Sequence, residues 1–347
     1  MQRVTNVMVV GRGTMGKPLH ARLVQEGFSV TSVGRRDVLV GDTHHDISAI
    51  TDGYIAGRLS RFIQGVQVAF LAIPSDGDGN TELAYMEYFR AKGIYVITFA
   101  KSALAYHYDK LRPHLDMVGR SATVGGGTQI LPWLTNLCLP GKDFTMFAYL
   151  NASTNYFMDS VSGGASREEA FRSAQAAGLA EPGATDYVAF LNGEIGHDMP
   201  MKCCIAMNDT ILGTQGMTLK PTDFSYKKLE VSDVEQITSP MSNSRYLLTF
   251  SKGKRSTPAL SSGQPGELQA KIGNFTISGR FIDVSRNTHV TQWVQGGKTN
   301  GVQIRFEGDF ESDGMVEVAG EGAGLATVGA AMNDLRKFIA LPKTFGL

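Results

Sequence analysis

Apolar residues open the chain as short unbroken runs separated by amphipathic stretches. Asn6–Val10 (NVMVV) reads as a buried strand, and residues 11–16 (GRGTMG) as a turn. Residues 17–26 then follow a helical period closed by Gly27, and residues 28–33 return to a strand pattern. A third apolar run, 67–73 (QVAFLAI), stops at Pro74. Residues 81–92 form an amphipathic helix with Gly93 just beyond its end, and 94–99 (IYVITF) is a fourth strand that stops at Ala100-Lys101. Strands alternating with helices predict an α/β fold built on a parallel, doubly wound sheet.

From about residue 145 the pattern changes. Residues 151–160 follow a strand, and 167–177 are helical, led by the Ser166-to-Glu169 capping-box spacing. Between residues 226 and 317 runs with β character recur at 246–250, 275–281 and 302–306, with a turn-rich stretch at 251–266. This half reads as α+β with a mostly antiparallel sheet, and 324–339 as a final helix. No internal repeat is evident. A chain of 347 residues exceeds one compact core, which predicts two domains. The expected division is 1–135, joined by the C-terminal 324–347, and 136–323.

Composition narrows the function classes. Charged residues make up 19 % and apolar residues 42 %, as in an ordinary globular protein. The formal net charge is zero, which points away from nucleic acid and from an anionic membrane as partners. No apolar run approaches the length of a membrane span, and the first ten residues enter a strand with no leader pattern. Cys138, Cys203 and Cys204, odd in number and two of them adjacent, form neither a disulfide framework nor a zinc-ligand spacing. They read as small buried hydrophobes in a reducing compartment, so the expected location is cytoplasmic. The seven histidines, His44, His45 and His197 among them, have no partner at metal-ligand spacing and read as surface or core residues.

The first chemistry lies in the glycine turn. Gly11, Gly13 and Gly16 make G-x-G-x-x-G between a strand and a helix, with Arg12, Thr14 and Met15 between them. The first glycine permits a tight turn, the second admits a pyrophosphate to the backbone, and the third lets the helix pack on the strand. This predicts a dinucleotide-binding Rossmann domain, with Ile73 and Pro74 at the carboxyl end of the third strand also facing the cofactor. The second strand ends Val33-Gly34-Arg35-Arg36, with no acid before Asp37. Two guanidinium groups suit a 2′-phosphate, so NADP is expected ahead of NAD. The alternative for Arg35 and Arg36 is a solvated basic turn.

Five blocks then carry a joint resemblance. Residues 97–105 read ITFAKSALA, 122–131 ATVGGGTQIL, and 151–157 NASTNYF. Residues 174–202 read AQAAGLAEPGATDYVAFLNGEIGHDMPMK, and 320–335 GEGAGLATVGAAMNDL. In this order and spacing the chain resembles homoserine dehydrogenase in its short form, without a regulatory domain. The family pattern has a lysine after the fourth strand, a GAG-or-GGG loop, an NGT-TNY strand, a G-x-A-E segment with D-x-x-x-K, and a GAG turn into the last helix. This chain differs at Leu179, at Ala152 in place of glycine, at Gln129 in place of proline, and in the lengthened segment between Asp186 and Asp198. Ser121 stands where family members supply a carboxylate near a monovalent cation, and the resemblance leaves any metal unassigned.

The resemblance implies an enzyme that reversibly reduces L-aspartate 4-semialdehyde to L-homoserine with NAD(P), a step toward threonine and methionine, and that forms a homodimer. It implies Lys202 as proton donor to the developing alkoxide, Lys101 beside nicotinamide and substrate, and Asp198 orienting Lys202 or the substrate. It implies Glu181 on the substrate ammonium, with Ser153 and Asp186 also at the amino acid, and Gly322 near the cofactor. Lysine can supply both charge and proton to a carbonyl oxygen that receives hydride. Taken alone, Lys202 reads as a solvated helix residue and Glu181 as an N-terminal helix charge. Two other readings are an amino-acid or sugar dehydrogenase of the same architecture and a non-catalytic NADP-binding sensor.

Overall fold

The computed structural model describes residues 4–47, 55–75, 77–137, 139, 143–180, 183–239, 243–252, 263–285, 293–307 and 315–340. The chain divides into two compact units, Met1–Thr123 with Thr327–Leu347, and Val124–Ala326.

The first unit is built on strands β1 (Asn6–Val10), β2 (Ser29–Val33), β3 (Asp37–Val40), β4 (Thr43–Asp46), β5 (Val68–Leu71), β6 (Tyr95–Thr98) and β7 (Val118–Gly119). Their order across the sheet is β4-β3-β2-β1-β5-β6-β7. Strands β2, β1, β5, β6 and β7 run parallel, and Val10 pairs with both Val33 and Leu71. The loops after β1, β2 and β5 therefore leave the sheet at one edge, where ligands gather in open α/β sheets. Helices α1 (Gly16–Gln25), α2 (Ile55–Leu59), α3 (Asn80–Ala91), α4 (Ser102–Tyr106) and α5 (Tyr108–Leu111) connect the strands. Val7, Val9, Phe70 and Ile97 pack with Leu19 and Leu23 of α1 and with Val328, Met332 and Leu335 of the C-terminal helix Leu325–Ala340. Met8 and Val10, on the other face of β1, are equally buried. A strand covered on both faces has no polar positions to spare, which is why NVMVV shows no alternation.

Two features go beyond the sequence reading. The sheet is not wholly parallel: β3 and β4 form an antiparallel hairpin on β2. The four residues of β4, THHD, are all exposed, so no hydrophobic period marks them. The C-terminal helix also returns a carboxylate to the sheet. Asp334 accepts from the Ser121 backbone amide at 2.8 Å and from its hydroxyl at 2.6 Å. Ser121 is thus the donor to an acid from a distant part of the chain.

The second unit holds helices α6 (Ile130–Asn136), α7 (Ala152–Ser162), α8 (Arg167–Ala176), α9 (Tyr187–Gly193), α10 (Met199–Met207) and α11 (Val231–Ile237). Its strands are β8 (Asp143–Tyr149), β9 (Ser225–Tyr226), β10 (Ser244–Lys252), β11 (Leu268–Ile272), β12 (Phe275–Asp283), β13 (Thr299–Glu307) and β14 (Met315–Glu321). They form an antiparallel sheet in the order β14-β13-β8-β10-β12-β11-β9. Phe144, Met146, Phe250, Ile277 and Ile304 are buried on it. On the opposite face Tyr149 packs against Trp293 with ring centroids 5.0 Å apart. The fold is the expected parallel α/β sheet with a second, antiparallel α+β unit.

One local expectation is corrected. Residues 151–157, NASTNYF, match a strand in the family pattern but form the first turns of α7. The Asn151 side chain accepts the Thr154 amide hydrogen at 2.7 Å, so the chain leaves β8 and caps a helix at once. Cys203 and Cys204 are buried and free, as expected. Cys138 lies outside the described residues, as does most of the turn-rich stretch 251–266.

Candidate active site

The glycine turn is explained by three different constraints. Gly11 adopts φ +102, and a side chain there would collide with the carbonyl oxygen of Ala72. At Gly16 a side chain would collide with the Gly11 carbonyl, so α1 packs directly on the turn. Gly13 differs: apart from its immediate chain neighbours, no atom among the described residues lies within 4 Å of where its Cβ would stand. Packing within the protein therefore imposes no need for glycine at this position. An open backbone at the second glycine, ahead of a helix N-terminus, is the cradle a pyrophosphate needs.

The end of β2 carries more charge than its sequence suggests. Arg35 and Arg36 are exposed. The β2–β3 turn folds Asp37 back, the Gly34 amide donating to the Asp37 carbonyl at 2.8 Å. A Cβ on Gly34 would collide with the Asp37 carboxylate, so glycine leaves that carboxylate its place. Arg12 of the glycine turn forms an ion pair with Asp37, and His44 Nδ1 lies 3.2 Å from the same oxygen. The Arg12 guanidinium holds the Asp37 carboxyl below the usual carboxylate range. An acid therefore does reach the end of β2, engaged with a cation. The hairpin that brings it there left no sequence signal, because the exposed THHD strand has no hydrophobic period.

Lys101 stands just ahead of α4, and its amide donates to Ser75 Oγ at 2.9 Å. That hydrogen bond joins the loop after β5, where Ile73 and Pro74 lie, to the loop after β6. Below it sits Glu82 of α3, which was not identified from sequence. Its carboxyl accepts from the Ala103 amide at 2.8 Å and from Thr98 Oγ1 at 3.0 Å.

The second unit contains a buried polar cluster. Between α9 and α10 the helix widens to a π turn, Glu194–Asp198. Such turns recur at functional sites because they realign side chains that a regular helix would separate. The Lys202 ammonium lies 2.7 Å from Asp198 Oδ2 and donates to the Leu150 carbonyl at 3.0 Å. Asn151 Nδ2 donates to Asp198 Oδ2 at 3.0 Å and to Glu194 Oε2 at 2.6 Å. Asn151, Glu194 and Asp198 are all buried. The cluster thus contains two carboxyl groups and one lysine. Sequence reasoning found Lys202 and Asp198 but missed Glu194 and Asn151. The spacing Glu194, Asp198, Lys202, at four-residue steps, was the available signal for the acid.

Other expected residues have evident local roles. Ser153 Oγ donates to the Leu179 carbonyl at 2.8 Å. Asp186 is the exposed N-cap of α9; its carboxylate accepts the Ala189 amide at 2.8 Å, which lowers its pKa. A side chain on Gly322 would collide with Asn300, so packing alone demands glycine there. Gln129 is the one non-glycine with positive φ among the described residues, at φ 56, and it precedes α6. Glu181 lies outside the described residues. No group of three or more metal-ligating side chains occurs among them, and no described helix is long and apolar enough to cross a membrane.

The fold is shared with homoserine dehydrogenases of known structure. That of Thermoplasma acidophilum is 18 % identical, covering 97 % of this chain and 99 % of its own, with a TM-score of 0.67. A hyperthermophilic archaeal homoserine dehydrogenase in complex with NADPH is 20 % identical, covering 97 % and 98 %, with a TM-score of 0.61. The enzyme of Thiobacillus denitrificans is 15 % identical over 96 % of this chain and 73 % of its own, with a TM-score of 0.64. No protein-family model matches the chain. No curated protein matches it by sequence.

Proposed function

We propose that the protein is an NADP-dependent oxidoreductase that interconverts L-aspartate 4-semialdehyde and L-homoserine. The observation that carries this reading is the Lys202–Asp198–Asn151–Glu194 cluster, with its two acids and Asn151 buried, in a fold shared with solved homoserine dehydrogenases.

The open backbone at Gly13 fits a dinucleotide, with Arg12, Thr14, Met15 and Gly16 around the pyrophosphate. Arg35 and Arg36, exposed at the end of β2, suit a 2′-phosphate. When bound, the cofactor supplies or accepts hydride at its nicotinamide ring. Lys202 gives a proton to the aldehyde oxygen as it becomes an alkoxide and takes it back in the reverse direction. Asp198 fixes the ammonium's position, and the Leu150 carbonyl directs a second N–H, so the proton is held at a defined atom. Lys101, at the start of α4 after β6, would face the nicotinamide and the substrate. A cluster with one acid more than its lysine suits a substrate ammonium, and Glu194 joins Glu181 as a candidate to bind it. The antiparallel sheet of the second unit is the proposed homodimer surface.

The deciding experiment follows NADPH formation at 340 nm with NADP and L-homoserine at alkaline pH. Turnover of homoserine that Lys202→Ala abolishes supports the reading. Turnover of a sugar or another amino alcohol with none of homoserine refutes the substrate and keeps the dehydrogenase. Tight NADPH binding with no turnover of any alcohol favours a sensor.

A further inference from the structure

Glu82 lies on α3, outside every expected site residue, and is 2 % exposed. Its partners Thr98 and Ala103 flank Lys101 in sequence: Thr98 ends β6, and Ala103 is in the first turn of α4. Thr98 Oγ1 also accepts from the Ala100 amide at 3.0 Å and lies 3.1 Å from the Ala100 carbonyl oxygen. That carbonyl belongs to the peptide bond joining Ala100 to Lys101. On the other side Ser75 holds the Lys101 amide. Gly79, at φ 77 ahead of α3, abuts the backbone of Ser102 and Ala103, 2.5 Å from where its Cβ would stand. The segment bearing Lys101 is thus clamped between the start of α3 and the loop after β5.

The hydroxyl of Thr98 has one proton and two acceptors within reach. An ionised Glu82 only accepts, so the Thr98 proton goes to it. A protonated Glu82 can donate to Thr98 Oγ1, which frees the Thr98 proton for the Ala100 carbonyl. The proton count balances: one proton added to Glu82 turns one hydroxyl and breaks no covalent bond. The Lys101 charge reaches Glu82 and favours the carboxylate, as do the Thr98 hydroxyl and the Ser102 and Ala103 amides that β6 and α4 present to it. Burial outweighs these and raises the Glu82 pKa to about 7, so the exchange falls in the neutral range.

We infer that Glu82 is a positioning residue for Lys101, its protonation deciding whether Thr98 is bonded to Glu82 or to the peptide that carries Lys101. The inference rests on the proposed assignment of Lys101 to the reaction. Glutamine at position 82 imitates the protonated acid, with Nε2 donating to Thr98 and Oε1 keeping the Ala103 amide.

The test is competitive acetylation of the full-length protein with acetic anhydride from pH 5.5 to 9, with Lys101 labelling read by peptide mass spectrometry. Native protein should show a step of about threefold or more near pH 7 on the smooth rise of amine reactivity. Glu82→Gln and Thr98→Val should each lose that step. Native and Glu82→Gln curves that superpose overturn the inference. If Glu82→Gln does not fold, Thr98→Val decides, and a step retained there overturns it equally. Turnover separates the two levels. The kcat of native protein should change through pH 7 while that of Glu82→Gln does not, with KM for homoserine unchanged in both. If Lys101→Ala leaves turnover intact, the assignment of Lys101 fails while the labelling still judges Glu82.

Discussion

The ammonium of Lys202 lies 2.7 Å from the Asp198 carboxylate, one helical turn before it, with only 14 % and 6 % of the two side chains exposed. A pair this enclosed escapes most solvent screening, so each partner fixes the other's geometry. Lys202→Ala should lower turnover by about 100-fold or more, the range for losing a general acid, measured by single-turnover kinetics with NADPH. Lys202→Arg should not restore it, because a guanidinium does not release its proton near neutral pH. A variant that changes only KM would make Lys202 a binding residue.

The glycine turn separates folding from binding. Gly11→Ala meets both a left-handed backbone and the Ala72 carbonyl, and should yield little folded protein. Gly13→Ala meets empty space and should melt within a few degrees of the native protein. Its NADPH affinity should nevertheless fall by about 10-fold or more, because the added methyl stands where a pyrophosphate approaches. Unchanged affinity by titration calorimetry would place the cofactor elsewhere.

At the end of β2, replacing Arg35 and Arg36 together by Ala should weaken NADPH by about 1–3 kcal/mol and leave NADH nearly unchanged. Equal losses for both cofactors, or tighter NADH binding in native protein, would remove the preference for the 2′-phosphate.

Asn151 serves two structures at once, capping α7 and donating to two buried carboxyl groups. Asn151→Ala should cost about 2–4 kcal/mol in denaturant unfolding, a cap plus the loss of a buried donor. Asn151→Asp keeps the capping oxygen but adds a third acid. It should be more destabilising at pH 7 than at pH 5, since protonation relieves the repulsion.

Glu82 also gives stability a pH dependence. Its pKa rises on folding from 4.5 to about 7, so the unfolded chain releases this proton first. The contribution is fully present below about pH 4.5 and is lost as pH rises through 7, amounting to about 3 kcal/mol. Glu82→Gln should therefore flatten the decline of unfolding free energy between pH 5 and 8. A parallel decline in both proteins would show that Glu82 is not buried as an acid.

The sequence by itself determined the elements whose physics is local. NVMVV, QVAFLAI and IYVITF are strands because a doubly covered sheet leaves them no polar face, and Gly11 and Gly16 announce their turn because no other residue fits it. The four-residue step from Asp198 to Lys202 likewise placed an ion pair on one helical face. Tertiary structure decided the rest. NASTNYF became a helix because Asn151 found the Thr154 amide and two carboxyl groups from α9–α10, partners more than forty residues away in the latter case. Asp37 reached Arg12 only because a hairpin whose outer strand is wholly exposed, and so invisible to hydrophobic period, turned the chain back on Gly34. Glu82 looked like an ordinary polar position on an amphipathic helix. Its burial against Thr98 and Ala103 comes from the packing of α3 on α4, because periodicity shows which side of a helix is apolar but not what a neighbouring element will place over its edge.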